Sequence, residues 1–376
     1  MDLERNKNTN AKSAFRVFEG IESLVRENIK RLTPYSSARH DFKGDALVFL
    51  DANENSYGSP VCLRSPSGEG PGVRFNRYPD PLQGQLKLSV SQIKGVPPEN
   101  ICVGNGSDEV IDLAYRIFCE PGKDNVIICP PTYGMYQVSA DINDANIKKV
   151  NLTNSFQLDV DGILNATDEN TKLLFICSPN NPTGNNMNRH DVEILINNFP
   201  GMVIIDEAYI NYSKQKTFIQ ELTECPNLIV MHTLSKAWGL ASLRIGLAFA
   251  SMPVIELFNK IKPPYNINEA SQRLAIEALQ RIQLVNKWIK EVVHQRKELE
   301  KDLSDLSFVK KVYPSDSNFL LVKVNDASAL YQYLTNNKIV VRNRSKEVGC
   351  DNCLRITIGT PEQNEQLLKA LKLYDQ

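Results

Sequence analysis

Between Asn125 and Ala250 the chain repeatedly gathers apolar residues into short unbroken runs and then leaves them for polar or amphipathic stretches. The runs are Asn125–Cys129, Lys172–Cys177, Met202–Asp206, Leu228–Met231 and Ile245–Ala250. A run with no polar alternation has no side to offer to water, so a strand built from it must be covered on both faces. Amphipathic stretches such as Ser107–Cys119 and Arg189–Asn198 supply candidate covering helices and crossovers. The expected architecture is therefore α/β, with a mostly parallel mixed sheet flanked by helices. In such sheets the chemistry collects at the carboxyl ends of the strands. Asn181, Asp206 and the segment around Lys236 all follow candidate strands.

Beyond this region the pattern changes. From Asn268 to Leu303 a helical periodicity runs without Pro or Gly. It is followed by a strand (Asn318–Val324), a helix (Ala327–Asn336), two strands (Ile339–Arg342 and Leu354–Gly359) and a last helix (Pro361–Leu373). This predicts a smaller α+β domain attached by a long helix. The expected division is an N-terminal arm and helix over 1–50 that packs with the small domain, a large domain over 51–265, and the long helix with the small domain over 266–376. A chain of 376 residues is long enough for two such units with a large core. In the arm, Val17, Ile21, Leu24, Val25, Ile29 and Leu32 fall near helical spacing until Pro34 ends the pattern. Ser59–Gly72, rich in Ser, Pro and Gly, reads as a surface loop.

Several functions are argued against. Lys and Arg total 43 against 44 for Asp and Glu, a net charge of −1 that gives no reason to propose a nucleic-acid or anionic-membrane surface. No apolar run approaches the ~18–20 residues of a membrane span. Met1–Ser13 is polar and does not read as a secretory signal, so the eight cysteines are expected to be reduced core residues of a cytoplasmic protein. No P-loop pattern occurs, and Gly104-Asn105-Gly106 lacks the third glycine of a dinucleotide fingerprint. Cys350 and Cys353 form a lone C-x-x-C, and none of the four histidines lies in H-E-x-x-H, so no metal site is expected.

Four clusters could carry chemistry. Gly104-Asn105-Gly106-Ser107-Asp108-Glu109 follows a strand-like Ile101–Val103 and opens an amphipathic helix. Taken alone it reads as an N-cap, although free N–H groups at a helix start also favour a phosphate. Cys177–Gly184 is dense in turn residues, and a tight loop accounts for it as well as a side chain aimed into a site does. Asp206 ends an apolar run, and a buried carboxylate is costly without a partner. That partner is either a core Arg or Lys or a cationic cofactor atom, with Tyr209 supplying a nearby hydroxyl. Lys236 sits between Leu234 and Ala237-Trp238, a setting that disfavours its ammonium form and frees the amine as a nucleophile.

In this order, Gly106-Ser107-Asp108, Tyr133, Asn181-Pro182-x-Gly184, Asp206-x-x-Tyr209, Ser235-Lys236, Arg244 and Arg355–Gly359 resemble the fold-type I pyridoxal-phosphate aminotransferases. A closer resemblance, to the histidinol-phosphate branch of that family, rests on Leu32–Tyr35, Asp51–Asn55, Asn76–Pro79, Cys129–Tyr136, Ser178–Gly184 and Cys353–Thr360. The resemblance implies pyridoxal 5'-phosphate as cofactor, attached to and then served by Lys236, which moves a proton at the substrate carbon. It implies Asp206 at the ring nitrogen, Tyr209 and Asn181 at the ring oxygen and Tyr133 stacked on the ring. The phosphate is then held by the backbone of Ser107 and Asp108, by Ser235 and Arg244, and by Tyr78 donated across a homodimer interface.

It further implies transamination of histidinol phosphate with 2-oxoglutarate, giving imidazole-acetol phosphate and glutamate in histidine biosynthesis, with Tyr35, Arg342, Arg355 and Asn181 on the substrate. The alternative for Arg342 is an ion pair with a nearby carboxylate. Rival readings are an aromatic-amino-acid aminotransferase or a phosphothreonine decarboxylase of the same fold, and a non-catalytic regulator that merely keeps it.

Overall fold

The computed structural model describes residues 47–51, 53–57 and 78–375. The expected helix of the arm, Tyr35 and the Ser59–Gly72 loop lie outside the described residues.

A seven-stranded sheet forms the larger body. Its strands are β2 (Ile101–Asn105), β3 (Asn125–Ile128), β4 (Asn146–Lys149), β5 (Thr171–Cys177), β6 (Met202–Asp206), β7 (Leu228–Thr233) and β8 (Ile245–Ala250). They lie in the order β2-β8-β7-β6-β5-β3-β4. All neighbours are parallel except β8, which runs antiparallel to both β2 and β7. The expected apolar runs became these strands because alternate residues feed two cores. Val203 and Ile205 belong to one apolar cluster, Ile204 to the other.

On the first face pack α1 (Gly84–Lys94), α4 (Val160–Ala166), α5 (Arg189–Asn198) and α7 (Glu269–Leu279), through residues such as Leu86, Ile163, Leu195 and Ala278. On the second lie α2 (Ser107–Phe118), α3 (Met135–Asn143) and α6 (Met252–Ile261), through Ile111, Tyr136 and Phe258.

The second body is a four-stranded antiparallel sheet, β12 (Arg342–Asn343), β13 (Cys353–Thr357), β10 (Phe319–Val324) and β9 (Val309–Val312), in that order. Beside it a two-residue strand β1 (Val48–Phe49) pairs parallel with β11 (Ile339–Val340). Helices α8 (Ile282–Ser304), α9 (Ala327–Asn336) and α10 (Pro361–Tyr374) complete it. A capping box fixes the start of α10: the Thr360 hydroxyl accepts from the Gln363 N–H, and the Gln363 side chain returns the bond.

Two expectations need correction. The helical pattern from Asn268 to Leu303 is two helices, α7 and α8, broken at Gln280 and Arg281. The Arg281 N–H bonds back to Ala278 in a tightened turn. Packing overrides the uninterrupted local propensity here: α7 buries Ala275, Ala278 and Leu279 on the large sheet. Past the break, α8 keeps Val285 in that core and places Val292, Leu299 and Leu303 in the core of the second body. The expected strand Ile339–Arg342 is likewise two short strands in different sheets, β11 and β12. Apolar content alone does not reveal a chain that switches partners at Val341.

Candidate active site

Asp206 ends β6 and Glu207 follows it. Asp206 shares the face of Ile204, toward α2 and α3, and is only 4% exposed. Its Oδ2 accepts from the Tyr136 hydroxyl at 2.8 Å and its Oδ1 from the Ala208 N–H at 3.0 Å. No Arg or Lys pairs with it among the described residues, so the core cation considered as its partner is not there. Burial pushes the Asp206 carboxyl up to about 6, although the Tyr136 and Ala208 bonds oppose the rise. A buried carboxylate in this condition fits a cationic ring nitrogen, the partner that removes the cost of its charge.

Tyr136 comes from the first turn of α3. It stacks on Phe175 at 4.8 Å, and its backbone carbonyl accepts from the Tyr115 hydroxyl at 2.8 Å. One turn earlier, Tyr133 meets Tyr136 edge-on at 5.6 Å and donates its hydroxyl to Asp108 Oδ1 at 2.9 Å. The other oxygen of Asp108 takes Arg244 Nη2 at 3.2 Å.

Asp108 lies in the first turn of α2, whose N-cap is Gly106, without a side-chain cap bond. The expectation of a Ser or Asp cap is thus corrected. Gly106 has φ 82°, a conformation that glycine tolerates. A methyl group there would collide with the Arg244 guanidinium, and one on Gly246 would collide with the Gly106–Ser107 backbone. The first N–H groups of α2 therefore stand beside a close-packed backbone and a cationic side chain. That is a cradle of the right charge for a phosphate.

Lys236 follows β7 on a turn closed by Gly239 N–H to Lys236 C=O at 3.1 Å. Just before it, the buried Ser235 donates its N–H to Thr233 Oγ1 at 3.0 Å. Lys236 Nζ lies 5.8 Å from the centre of the Tyr209 ring. Burial, and then the positive charge of Arg355, push the Lys236 amine down to about 8. The direction is the one expected of an amine taken out of water. Tyr209 is buried, edge-on to Phe319 at 5.2 Å. Its oxygen accepts from Asn53 Nδ2 at 3.1 Å.

The Cys177–Gly184 loop divides its labour between adjacent asparagines. Asn180 is fully buried and holds the loop, donating to Pro131 C=O and Thr183 Oγ1, both at 2.8 Å. Asn181 instead meets Arg355, which donates from Nη1 to Asn181 Oδ1 at 2.6 Å. Because Arg355 takes the carbonyl end, the Asn181 amide nitrogen is the end left to donate elsewhere. Arg355 Nη2 donates to Asp51 C=O at 2.7 Å. Across the antiparallel pairing of β12 and β13, Arg342 sits directly opposite Arg355, so the two side chains leave the same face.

The structure thus gathers Ser107, Asp108, Tyr133 and Arg244 at one end, Asp206 beside Tyr136, and Lys236, Tyr209, Asn181 and Arg355 at the other. Tyr78 stands apart from these contacts: it is 82% exposed and stacks on Tyr265 at 4.6 Å. Sequence reasoning missed Tyr136, Asn53 and Thr357 as site residues. Each lies in or beside a motif already singled out, and the signal that points to Tyr136 is its spacing, one helical turn after Tyr133. Among the described residues no group of His, Cys, Asp and Glu could hold a metal ion. The described cysteines are free, and all but Cys225 are buried.

A parallel-centred α/β sheet with a pKa-lowered lysine after one strand, a buried carboxylate at the end of the neighbouring strand and a phosphate cradle at a glycine-capped helix defines a pyridoxal-phosphate enzyme of fold-type I. The family description "Aminotransferase class I and II" matches residues 46–371, and the chain belongs to that family. Its cofactor is pyridoxal 5'-phosphate.

A histidinol-phosphate aminotransferase of Bacteroides thetaiotaomicron is 50% identical over 355 residues, covering 94% of this chain and 99% of that protein. One from Cytophaga hutchinsonii is 49% identical over 354 residues, with the same coverage of each. Among solved structures, a histidinol-phosphate aminotransferase of Sinorhizobium meliloti in complex with pyridoxal-5'-phosphate superimposes with a TM-score of 0.81. It is 22% identical, covers 96% of this chain and 98% of that one, and speaks for the fold.

Proposed function

We propose that this enzyme transfers the amino group of histidinol phosphate to 2-oxoglutarate, giving imidazole-acetol phosphate and glutamate, in histidine biosynthesis. The observation that carries this reading is the cross-strand pairing of Arg342 with Arg355. One guanidinium suits the α-carboxylate of glutamate; two on one face suit a phosphate dianion. The relatives at 49% and 50% identity, both described as histidinol-phosphate aminotransferases, support the same substrate.

When bound, pyridoxal 5'-phosphate supplies the electron sink that accepts the pair left as the substrate carbon loses its proton. The Lys236 amine binds the cofactor and afterwards takes and returns that proton at Nζ, a task suited to a pKa near 8. Asp206 would hold a proton on the ring nitrogen, and Tyr136 fixes its carboxylate. Tyr209 and Asn181 would donate to the ring oxygen, and Tyr133 would stack on the ring.

The first N–H groups of α2, Ser235 and Arg244 hold the cofactor phosphate. Arg355, with Arg342 and Tyr35, binds the substrate's anionic group. The exposed Tyr78–Tyr265 stack supports a homodimer in which Tyr78 reaches the partner's phosphate cradle. Among the described residues no helix is long and apolar enough to cross a membrane.

The test is turnover by purified holoprotein. Histidinol phosphate should be preferred to phenylalanine by orders of magnitude in kcat/KM, with one glutamate formed per amine lost and no carbon dioxide released. Equal turnover of phenylalanine, or carbon dioxide from a phosphorylated amino acid, would overturn the assignment.

A further inference from the structure

We propose that Asn53 is a positioning residue for the reaction: it occupies the lone-pair side of the Tyr209 hydroxyl, and so turns the hydroxyl proton toward the cofactor's ring oxygen. Asn53 is buried and left-handed, with φ 54°. Its backbone N–H donates to Thr357 Oγ1 at 3.0 Å, and the Thr357 hydroxyl donates to Asn53 Oδ1 at 3.0 Å. In this arrangement the single Thr357 proton goes to the oxygen end of the amide, which leaves Nδ2 facing Tyr209 at 3.1 Å. An amide nitrogen only donates, so the Tyr209 proton cannot point back at it. Asn318 Nδ2 holds the Asn53 carbonyl at 3.0 Å, and Phe319 lies edge-on to the Tyr209 ring. Neither partner is therefore loose.

The surrounding contacts give the arrangement its purpose. Asp51 C=O accepts from Arg355, Asn53 donates to Tyr209, and Asn55 Nδ2 donates at 3.1 Å to the carbonyl of Ala237, next to Lys236. Three residues of one short segment thus each hold a different part of the site. At a left-handed position packing would accept Asp much as it accepts Asn, whereas aiming a proton requires a donor. Burial pushes the Tyr209 phenol up, and the Asn53 bond opposes that rise.

This inference rests on Tyr209 being the donor to the ring oxygen, and the test separates the two claims. The pH midpoint of the bound cofactor's visible absorbance is measured in wild-type holoprotein, Asn53→Asp, Tyr209→Phe and the double variant. A donor at the ring oxygen favours its anionic form and lowers the midpoint. Asn53→Asp puts an acceptor opposite the phenol, recaptures its proton and raises the midpoint by about one unit, a tenfold change in the equilibrium. Tyr209→Phe raises it similarly, and the double variant no further.

Thr357→Val, which releases the amide to flip, shifts it the same way by less, and serves alone should Asn53→Asp not fold. An unchanged midpoint in Asn53→Asp or, failing that, in Thr357→Val, or a shift that adds fully to that of Tyr209→Phe, overturns the role of Asn53 while leaving that of Tyr209. An unchanged midpoint in Tyr209→Phe overturns both.

Discussion

Asp206 and Glu207 are neighbours in the chain, carry the same functional group and are almost equally buried, at 4% and 1% exposure. Their surroundings differ. Glu207 points to the opposite side of the sheet and is closed in by three donors: the Thr217 hydroxyl, the Phe218 N–H at 2.8 Å and His232 Nε2 at 2.7 Å. Burial pushes the His232 imidazole down to about 4, so a neutral ring donates to the carboxylate and no ion pair forms there. Asp206 has one hydroxyl and one backbone N–H. Burial alone therefore does not mark a functional carboxylate. The distinction is that the protein closes one with three donors and gives the other a single hydroxyl and a single N–H, a shell that the cofactor's cation completes under the proposed assignment.

The largest effect should separate the pair by rate. Asp206→Ala should retain some cofactor and lose kcat on the order of 10²-fold or more, because the preorganised charge beside the ring is gone. Glu207→Gln should keep kcat within a few-fold. Comparable rate losses in steady-state assays of both variants would erase the contrast.

Stability should move the other way. Glu207→Gln should cost about 1.5–3 kcal/mol in chemical denaturation, the worth of hydrogen bonds to a buried charge. Apoprotein carrying Asp206→Asn should instead gain stability at pH 8, by up to about 3 kcal/mol. The sign follows from the raised carboxyl. The folded state holds the Asp206 proton until about pH 6 whereas an unfolded Asp releases it near 3.8, so stability is lost as pH rises through that window. The gain should vanish by about pH 4. His232 contributes the opposite slope, adding stability as pH rises from about 4 toward 6.5. Denaturation of wild-type and Asp206→Asn apoprotein across this range checks both signs.

The smallest effect concerns the arginines, where a tied group again stands beside a second of its own kind. Arg355 is fixed by Asn181 and Asp51. Arg342→Ala should raise KM for histidinol phosphate about tenfold, roughly one charge-assisted hydrogen bond, with a smaller effect on 2-oxoglutarate. An unchanged KM for the phosphorylated substrate would withdraw Arg342 from substrate binding.

Much of this was legible in the residues. Apolar runs buried on both faces read cleanly, so β6, β8, α5 and α9 lie where the pattern puts them. Asp206 and Lys236 stand out because charge or nucleophilicity in an apolar setting demands a reason, whereas Arg355 was reached only through the resemblance to the family. What stayed hidden depends on long-range geometry. Asn53 meets Tyr209 and Thr357 from 156 and 304 residues away, and no local pattern reports such a contact. The Arg342–Arg355 pairing needed the strand register, and the break between α7 and α8 needed the two cores they serve. The missing side-chain cap at Gly106 was hidden because Ser107 and Asp108 are good caps by type, and only the backbone shows them already inside the helix.

The central claim is that Lys236, and no other lysine, holds the cofactor. Borohydride reduction of the holoprotein, followed by peptide mass mapping, tests it directly. A reduced pyridoxyl phosphate mass is expected on the peptide carrying Lys236, and none in Lys236→Ala. The same adduct on Lys94, Lys262 or a surface lysine, with Lys236 unmodified, would contradict it.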